Sequence, residues 1–434
     1  MRKIRLSSVE NLTREQLLSS AQSTSTAEIA ERVQAIIKDV KQRGDAAVFE
    51  YTERFDQVKL SAETLKVSEN EFSQAAGQVS ASELEAIKTA IERIKKFHAK
   101  QKRCSWFDTE EPGVVLGQIV SPIEKVGLYV PGGSAPLVST VIMNAVPALI
   151  AGVEKLYLVT PPNQKGQINP ALLLTADLLG IKDVFKIGGA QAVAALALGT
   201  DSVPRVDKIV GPGNIYVATA KQLLFGQVDI DMIAGPSEIL VLADKTANPG
   251  FIAADLLSQA EHDPLSGSYL VSDSEGLIAE VEQELERQLR ELTRADIASK
   301  ALKEHGLIVE VPDLVTGAAV SNLIAPEHLI VETDDPWSLL GHLRNAGAIF
   351  LGHFTPEAVG DYLAGPNHVL PTQGTARFFS PLGVDDFIKK SSLLSFGREQ
   401  LRELSAPLLE LAGIEGLSAH ANSVKIRLGL DQKE

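Results

Sequence analysis

Residues 153–162, VEKLYLVTPP, lead into PALLLTADLLG at 170–180, and the same pairing returns twice: DVFKIGG (183–189) before AQAVAALALG (190–199), and VDKIVGPG (206–213) before NIYVATAKQLL (214–224). In each pair a short apolar or β-branched run stops at Gly or Pro and an Ala/Leu-rich run of helical character follows. Alternating strands and helices of this kind predict a parallel sheet wrapped by helices. Downstream comes a second cycle: SYLVSD (268–273), a charged helix over about 275–292, GLIVEV (306–311), another helix, HLIVET (328–333), a helix from Pro336, and AIFLG (348–352). Two α/β units are expected, with a boundary near Ser237. Upstream, helical spacing from Thr26 to about Phe55 and from about Ser82 to Lys102 makes the first hundred residues mainly helical. Beyond Pro381 the pattern turns helical and polar, too short for a core of its own, so this stretch should pack on something else.

The 434 residues, 44% of them hydrophobic, suffice for two or three domains with buried cores. A formal charge of -15 leaves no net positive field for a phosphate backbone, and no Lys/Arg-rich run interleaves with aromatics, so nucleic acid is not an expected partner. MRKIRLSSVENL (1–12) has no apolar stretch after its basic residues, and later apolar segments are soon broken by Gly, Pro or Asn; no signal peptide or membrane span is expected. The single Cys104 excludes an internal disulfide and any cysteine-built zinc or iron–sulfur site, which suits the cytoplasm. Any metal must be held by N and O.

Four segments concentrate groups that bind metal or move protons. In DLLSQAEHDP (255–264), Gln259 and His262 lie three apart near the end of a helix that Pro264 must terminate. In APEHLI (325–330), Glu327 and His328 adjoin an apolar strand; neighbours on a strand point to opposite faces, so the two share a site only at a strand end, where Pro326 suggests they sit. GDYLAGPNHVLPTQG (360–374) holds Asp361 and His368, and EGLSAHANSV (415–424) holds Glu415 and His420. Taken singly, such residues more often cap helices or decorate surfaces. Together they take four of the eight histidines, all near Gly, Pro or helix ends, where functional loops lie. His98, His305, His342 and His353 lack comparable neighbours and read as structural. A Gln, His, Asp and His set suits Zn²⁺ or another borderline divalent ion, with room for substrate donors. YVPGGSAP (129–136), IGGAQAVAALALG (187–199) and VGPGNIYVATAK (210–221) each put Gly between strand and helix, where backbone N–H groups can approach a pyrophosphate; ordinary turn chemistry explains them equally well. An N/O metal site beside a glutamate is also the equipment of a zinc hydrolase, and a binding protein on this scaffold is a third class.

The segments at 33–56, 126–153, 187–200, 206–221, 230–244 (IDMIAGPSEILVLAD), 253–264, 325–333, 360–372 and 416–428 (GLSAHANSVKIRL), in that order, resemble those of the histidinol dehydrogenase family. Only about 57–112 and the last few residues match poorly. The resemblance implies oxidation of L-histidinol through histidinal to L-histidine, in histidine biosynthesis, using two NAD, one water and one Zn²⁺ per subunit of a homodimer. It implies an aldehyde-dehydrogenase-like arrangement of two Rossmann-like α/β domains. These are an N-terminal arm (1–25), a discontinuous domain with metal and catalytic residues (26–128 and 238–380), an NAD-binding domain (129–237) and a helical dimerisation tail (381–434). Residue by residue, it implies Gln259, His262, Asp361 and His420 as zinc ligands and Glu327 and His328 as the acid–base pair. Tyr129, Gln191 and Asn214 would touch NAD; Ser237, His328 and Glu415, with the metal ligands, would touch the substrate. In the family the tail of one subunit completes the site of the other, which would give Glu415 and His420 to the partner's site. His368 lies in a family motif without an assigned role.

Overall fold

The computed structural model describes residues 1–18, 26–132 and 137–430. Gly133–Pro136, the second half of the YVPGGSAP turn, and 19–25 of the expected arm lie outside the described residues. The strands, in chain order, are β1 (Arg2–Arg5), β2 (Trp106–Asp108), β3 (Val114–Pro122), β4 (Lys125–Tyr129), β5 (Lys155–Val159), β6 (Asp183–Phe185) and β7 (Lys208–Val210). They continue as β8 (Asp229–Ile230), β9 (Glu238–Ala243), β10 (Gly267–Ser272), β11 (Gly306–Glu310), β12 (His328–Glu332), β13 (Ala348–Leu351) and β14 (Ile388–Phe396). The chain divides into two units: Met1–Gln101 with Ile123–Phe387, and Lys102–Pro122 with Ile388–Glu434.

The first unit holds two parallel sheets. One runs β6-β5-β4-β7-β8, which in chain order is third, second, first, fourth, fifth. That is the order of a mononucleotide-binding sheet, and its winding reverses between β4 and β7, where a crevice opens at the carboxyl ends. The other runs β1-β11-β10-β9-β12-β13. From β9 onward it repeats the same winding, and the N-terminal β1 adds a parallel outer strand. Both sheets are apolar on both faces, as parallel strands covered by helices must be. On the first, Leu128, Leu158 and Val210 face one core while Tyr129, Val159 and Ile209 face the other. On the second, Ile239, Val241 and Ile330 oppose Leu240, Leu242 and Leu329.

The expected helix from Thr26 to Phe55 is two, Thr26–Arg43 and Asp45–Asp56, broken where Gly44 takes a positive φ of 55°. Both pack into the core of the first sheet, through Ile29, Val33, Ala47 and Val48, so the expected grouping of 26–128 with 238–380 is corrected here: these helices and β4 belong with the five-stranded sheet. In the second unit β14, β3 and β2 form an antiparallel sheet, followed by helices Arg398–Glu403, Ser405–Ile414 and Ser418–Leu428. The expectation of a wholly helical tail beyond Pro381 is corrected here, because 388–396 is a nine-residue strand. Its residues are half-exposed or exposed throughout, so no apolar period marks it, and its conformation is fixed by pairing with Val114–Pro122. No helix among the described residues is long and apolar enough to cross a membrane.

Candidate active site

β9 and β12 are adjacent central strands, and the amino end of β12 carries Glu327 and His328. Glu327 immediately precedes β12 and His328 begins it. The entry is tight: a Cβ on Gly347 would stand 2.6 Å from the Glu327 carbonyl, so only glycine lets β13 start beside it. Although neighbours on a strand diverge, this strand end brings His328 Nδ1 to 3.9 Å from Glu327 Oε2. Glu327 Oε2 accepts the Glu238 N–H at 3.0 Å, and His328 Nδ1 lies 3.3 Å from the Glu238 carbonyl. With the Nδ1 proton given to that carbonyl, Nε2 is the bare nitrogen. It is buried without a hydrogen-bond partner and lies 3.9 Å from Asp361 Oδ1.

The helix Glu357–Tyr362 supplies two carboxyls four residues apart, hence on one face. Glu357 Oε1 lies 3.7 Å from His328 Nδ1. Ligand atoms of His328, Glu357 and Asp361 all fall within 4.8 Å of one another, a group able to hold a metal ion. Burial governs its charges. It pushes Glu357 up to about 7 and Asp361 to about 6, and raises Glu327 well above the usual carboxylate range, with Glu357, Glu238 and Asp361 adding to the last. It lowers His328, against the pull of Asp361. Carboxyls crowded together and deprived of water are what a divalent cation relieves.

The helix Pro249–Ala260 approaches the same group, since Ser258 donates to Glu357 Oε2 at 3.1 Å. Next to it, Gln259 is fully buried and neither amide atom has a partner. The helix stops at Ala260, yet His262 N–H still reaches the Gln259 carbonyl at 3.2 Å, so a turn keeps the pair adjacent. His262 is solvent-exposed on one side, while desolvation lowers its pKa and His328 lowers it further. His368 Nδ1 sits 3.1 Å from the Asp361 carbonyl, and burial brings its pKa down to about 4, so it stays neutral and braces the backbone of Asp361. Ser237 stands just ahead of β9. The orphaned His328 Nε2 and Gln259 amide, with Asp361, are N and O donors of the kind zinc takes.

At the reversal point of the first sheet a cavity of about 660 Å³ is lined by Tyr129, Gly189, Gln191 and Asn214. The Tyr129 hydroxyl accepts the Gly189 N–H at 3.0 Å. Gly188 and Gly189 open the helix Gly189–Leu198; a Cβ on Gly188 would meet Pro161 at 2.7 Å, and one on Gly189 would meet Gln191 Oε1 at 2.7 Å. Gln191 Oε1 is buried without a partner. Asn214 is spent in part on capping the helix Ile215–Leu224, accepting from Tyr216 and Val217 N–H groups, which leaves its amide N–H free. Two helix N-termini, a glycine cradle and an orphaned amide oxygen fit a dinucleotide.

The sequence model of histidinol dehydrogenase matches residues 19–428. The chain belongs to this family. It is 55% identical over 402 residues to a histidinol dehydrogenase of Geobacter sulfurreducens, covering 92% of this chain and 94% of that one. With the enzyme of Clostridium acetobutylicum it shares 51% over 412 residues, 95% of each. The crystal structure of histidinol dehydrogenase from Elizabethkingia anophelis superimposes with a TM-score of 0.93 at 39% identity, covering 100% of this chain and 99% of that one. The chain is thus an NAD-dependent dehydrogenase by family, carrying the family's α/β fold of parallel sheets.

Within that frame, His328 lies 3.9 Å from both Glu327 and Asp361, His262 lies within electrostatic reach of His328, and Gln259 follows Ser258, which donates to Glu357. Glu415 and His420 belong to the second unit and are exposed there. Two participants escaped the sequence reading. Glu357 opens a short helix, where an acidic residue is ordinary, and only its burial against His328 marks it. Glu238, in ion pair with Arg14 and accepting the Gln373 N–H at 3.1 Å, anchors the Glu327 and His328 side chains through its backbone.

Proposed function

We propose that the protein oxidises L-histidinol through histidinal to L-histidine, in histidine biosynthesis, with two NAD and one water. The buried His328, its Nε2 bare beside Asp361, carries this reading. Nε2 takes the hydroxyl proton of histidinol as hydride leaves the carbinol carbon for NAD, giving aldehyde, NADH and a proton. Water then adds to the aldehyde, Glu327 taking its proton while His328 returns to the carbonyl oxygen the proton it took in the first step, and His328 again deprotonates the resulting diol as the second hydride leaves for a second NAD. Cys104 lies in the stretch that matches the family poorly, outside every matched segment, so activated water rather than a thiol is the nucleophile in this reading.

Gln259, His262, Asp361 and a partner's His420 would hold zinc, and Ser237 and Glu415 would help to seat the substrate. When bound, zinc supplies a Lewis acid for the alcohol and aldehyde oxygen and a positive charge that favours ionised Glu327. Tyr129, Gln191 and Asn214 would hold NAD, which accepts the hydride. In this reading the five-stranded sheet is the NAD-binding body and the six-stranded sheet the metal and catalytic one. The tail would serve a second copy in a homodimer with shared sites, and the one-cysteine composition suits the cytoplasm. The test supplies histidinol and NAD with and without a chelator: two NADH per histidine are expected, lost on chelation. Hydrolysis of an amide or ester without NADH would overturn the proposal.

A further inference from the structure

The cavity at the reversal point has a wall that none of the strand–turn–helix motifs contributes, the end of the helix Asp45–Asp56. Phe55 lines it with half its surface exposed, stacked on Tyr51 at 5.8 Å and 15°. Beside it, the Asp56 carboxylate lines the cavity too, and its Oδ2 is buried with no partner. Burial pushes this carboxyl up to about 6, so it is ionised at neutral pH and short of donors; its charge reaches Tyr129 on the facing wall. That facing wall, with Gly189, Gln191 and Asn214 at two helix N-termini, favours phosphate oxygens. The helix wall offers the opposite chemistry: aromatic surface for a base, and a carboxylate at a helix carboxyl end, where a further negative charge is unwelcome.

Resting on the NAD reading above, we infer that Asp56 accepts the 2′- and 3′-hydroxyls of the adenosine ribose, with the adenosine half against Tyr51 and Phe55, and thereby selects NAD over NADP. Two hydroxyl donors satisfy a carboxylate that otherwise lacks them; a 2′-phosphate removes one donor and brings a charge of the same sign. Arg32 and Arg54 also line the cavity, but both are exposed, and Arg54 lies over the Phe55 ring at 5.5 Å. Their hydrated charges weigh less than that of the half-buried carboxylate.

Calorimetric titration of the whole protein with NAD and NADP, needing no turnover, tests this. Wild type should bind NAD at least roughly 100-fold tighter, and Asp56→Asn should shrink that ratio at least about tenfold. Asp56→Ser should weaken AMP and leave nicotinamide mononucleotide unchanged, a split that a misfolded variant would not give. An unchanged NAD/NADP ratio, or equal loss of AMP and nicotinamide mononucleotide, would overturn the assignment while leaving the NAD reading intact. Wild type that binds neither dinucleotide would overturn both.

Discussion

His328 is the residue on which two assignments compete. It lies within 4.8 Å of Glu357 and Asp361 as a potential ligand, while its bare Nε2 suits a base. Metal content separates the two: His328→Asn should keep its zinc and lose roughly 10²–10⁴-fold in both half-reactions, whereas His262→Ala should lose the ion. Glu327→Gln should slow aldehyde oxidation more than alcohol oxidation. Loss of zinc from His328→Asn, read by elemental analysis, would make His328 a ligand instead. A second titrating pair lies at the far end of β12, where burial pushes Glu332 up to about 8 and Asp255, hydrogen-bonded to it, to about 7. Folded pKa values raised above the unfolded ones give stability that is complete below about pH 4 and lost as pH rises through 7 to 8. Glu332→Gln should therefore melt several degrees above wild type at pH 8, the gap closing by pH 5; a gap independent of pH would contradict this. Residues such as Glu327, His328 and Asp361 were legible because Pro, Gly and strand ends punctuate their segments. Glu332, the last residue of an apolar strand, and Glu357 owe their character to neighbours distant in sequence, which no local pattern records.

Elements show the same division. The three strand–helix pairs of the opening stretch are real because buried parallel strands need apolar residues on both faces, and that demand is written locally. What pattern reading could not supply is the edge: β1 is recognised only by pairing with β11, and β14 only by pairing with β3. Turns between elements carry a sharper constraint. Gly211, just after β7, has a φ of 115°, and a Cβ there would drive into the Tyr129 carbonyl where the winding reverses. Gly211→Ala should cost at least about 2 kcal/mol. Gly226, with a φ of 96° but nothing within 4 Å of a Cβ, isolates the conformational part, and Gly226→Ala should cost only about 1 kcal/mol. Equal denaturation midpoints for the two variants would show that the crowding at Gly211 is relieved without cost.

For the molecule as a whole, the proposed sharing of sites predicts complementation. A Glu327→Gln/His328→Asn chain, inactive alone, mixed with an inactive His420→Ala chain should regain part of the activity, because one mixed site collects only intact residues. Verified subunit exchange without recovery would assign the tail to its own subunit. The second unit suits such an assembly, for Leu394, Leu411, Ile414 and Ile426 are all largely exposed on it, more apolar surface than a free tail ordinarily shows.

The pairing of β3 with β14 also sets a clock on biogenesis. The two strands are separated by the entire Ile123–Phe387 segment, 265 residues that the ribosome must finish first. At roughly 5–20 residues per second, β3 leaves the exit tunnel about 15–50 s before its partner exists. During that interval it has only the three-residue β2 beside it, with Trp106 and Phe107 in the open. A nascent chain in this state presents an unpaired strand edge, the kind of surface on which a neighbouring chain can add a strand, until the last segment is made.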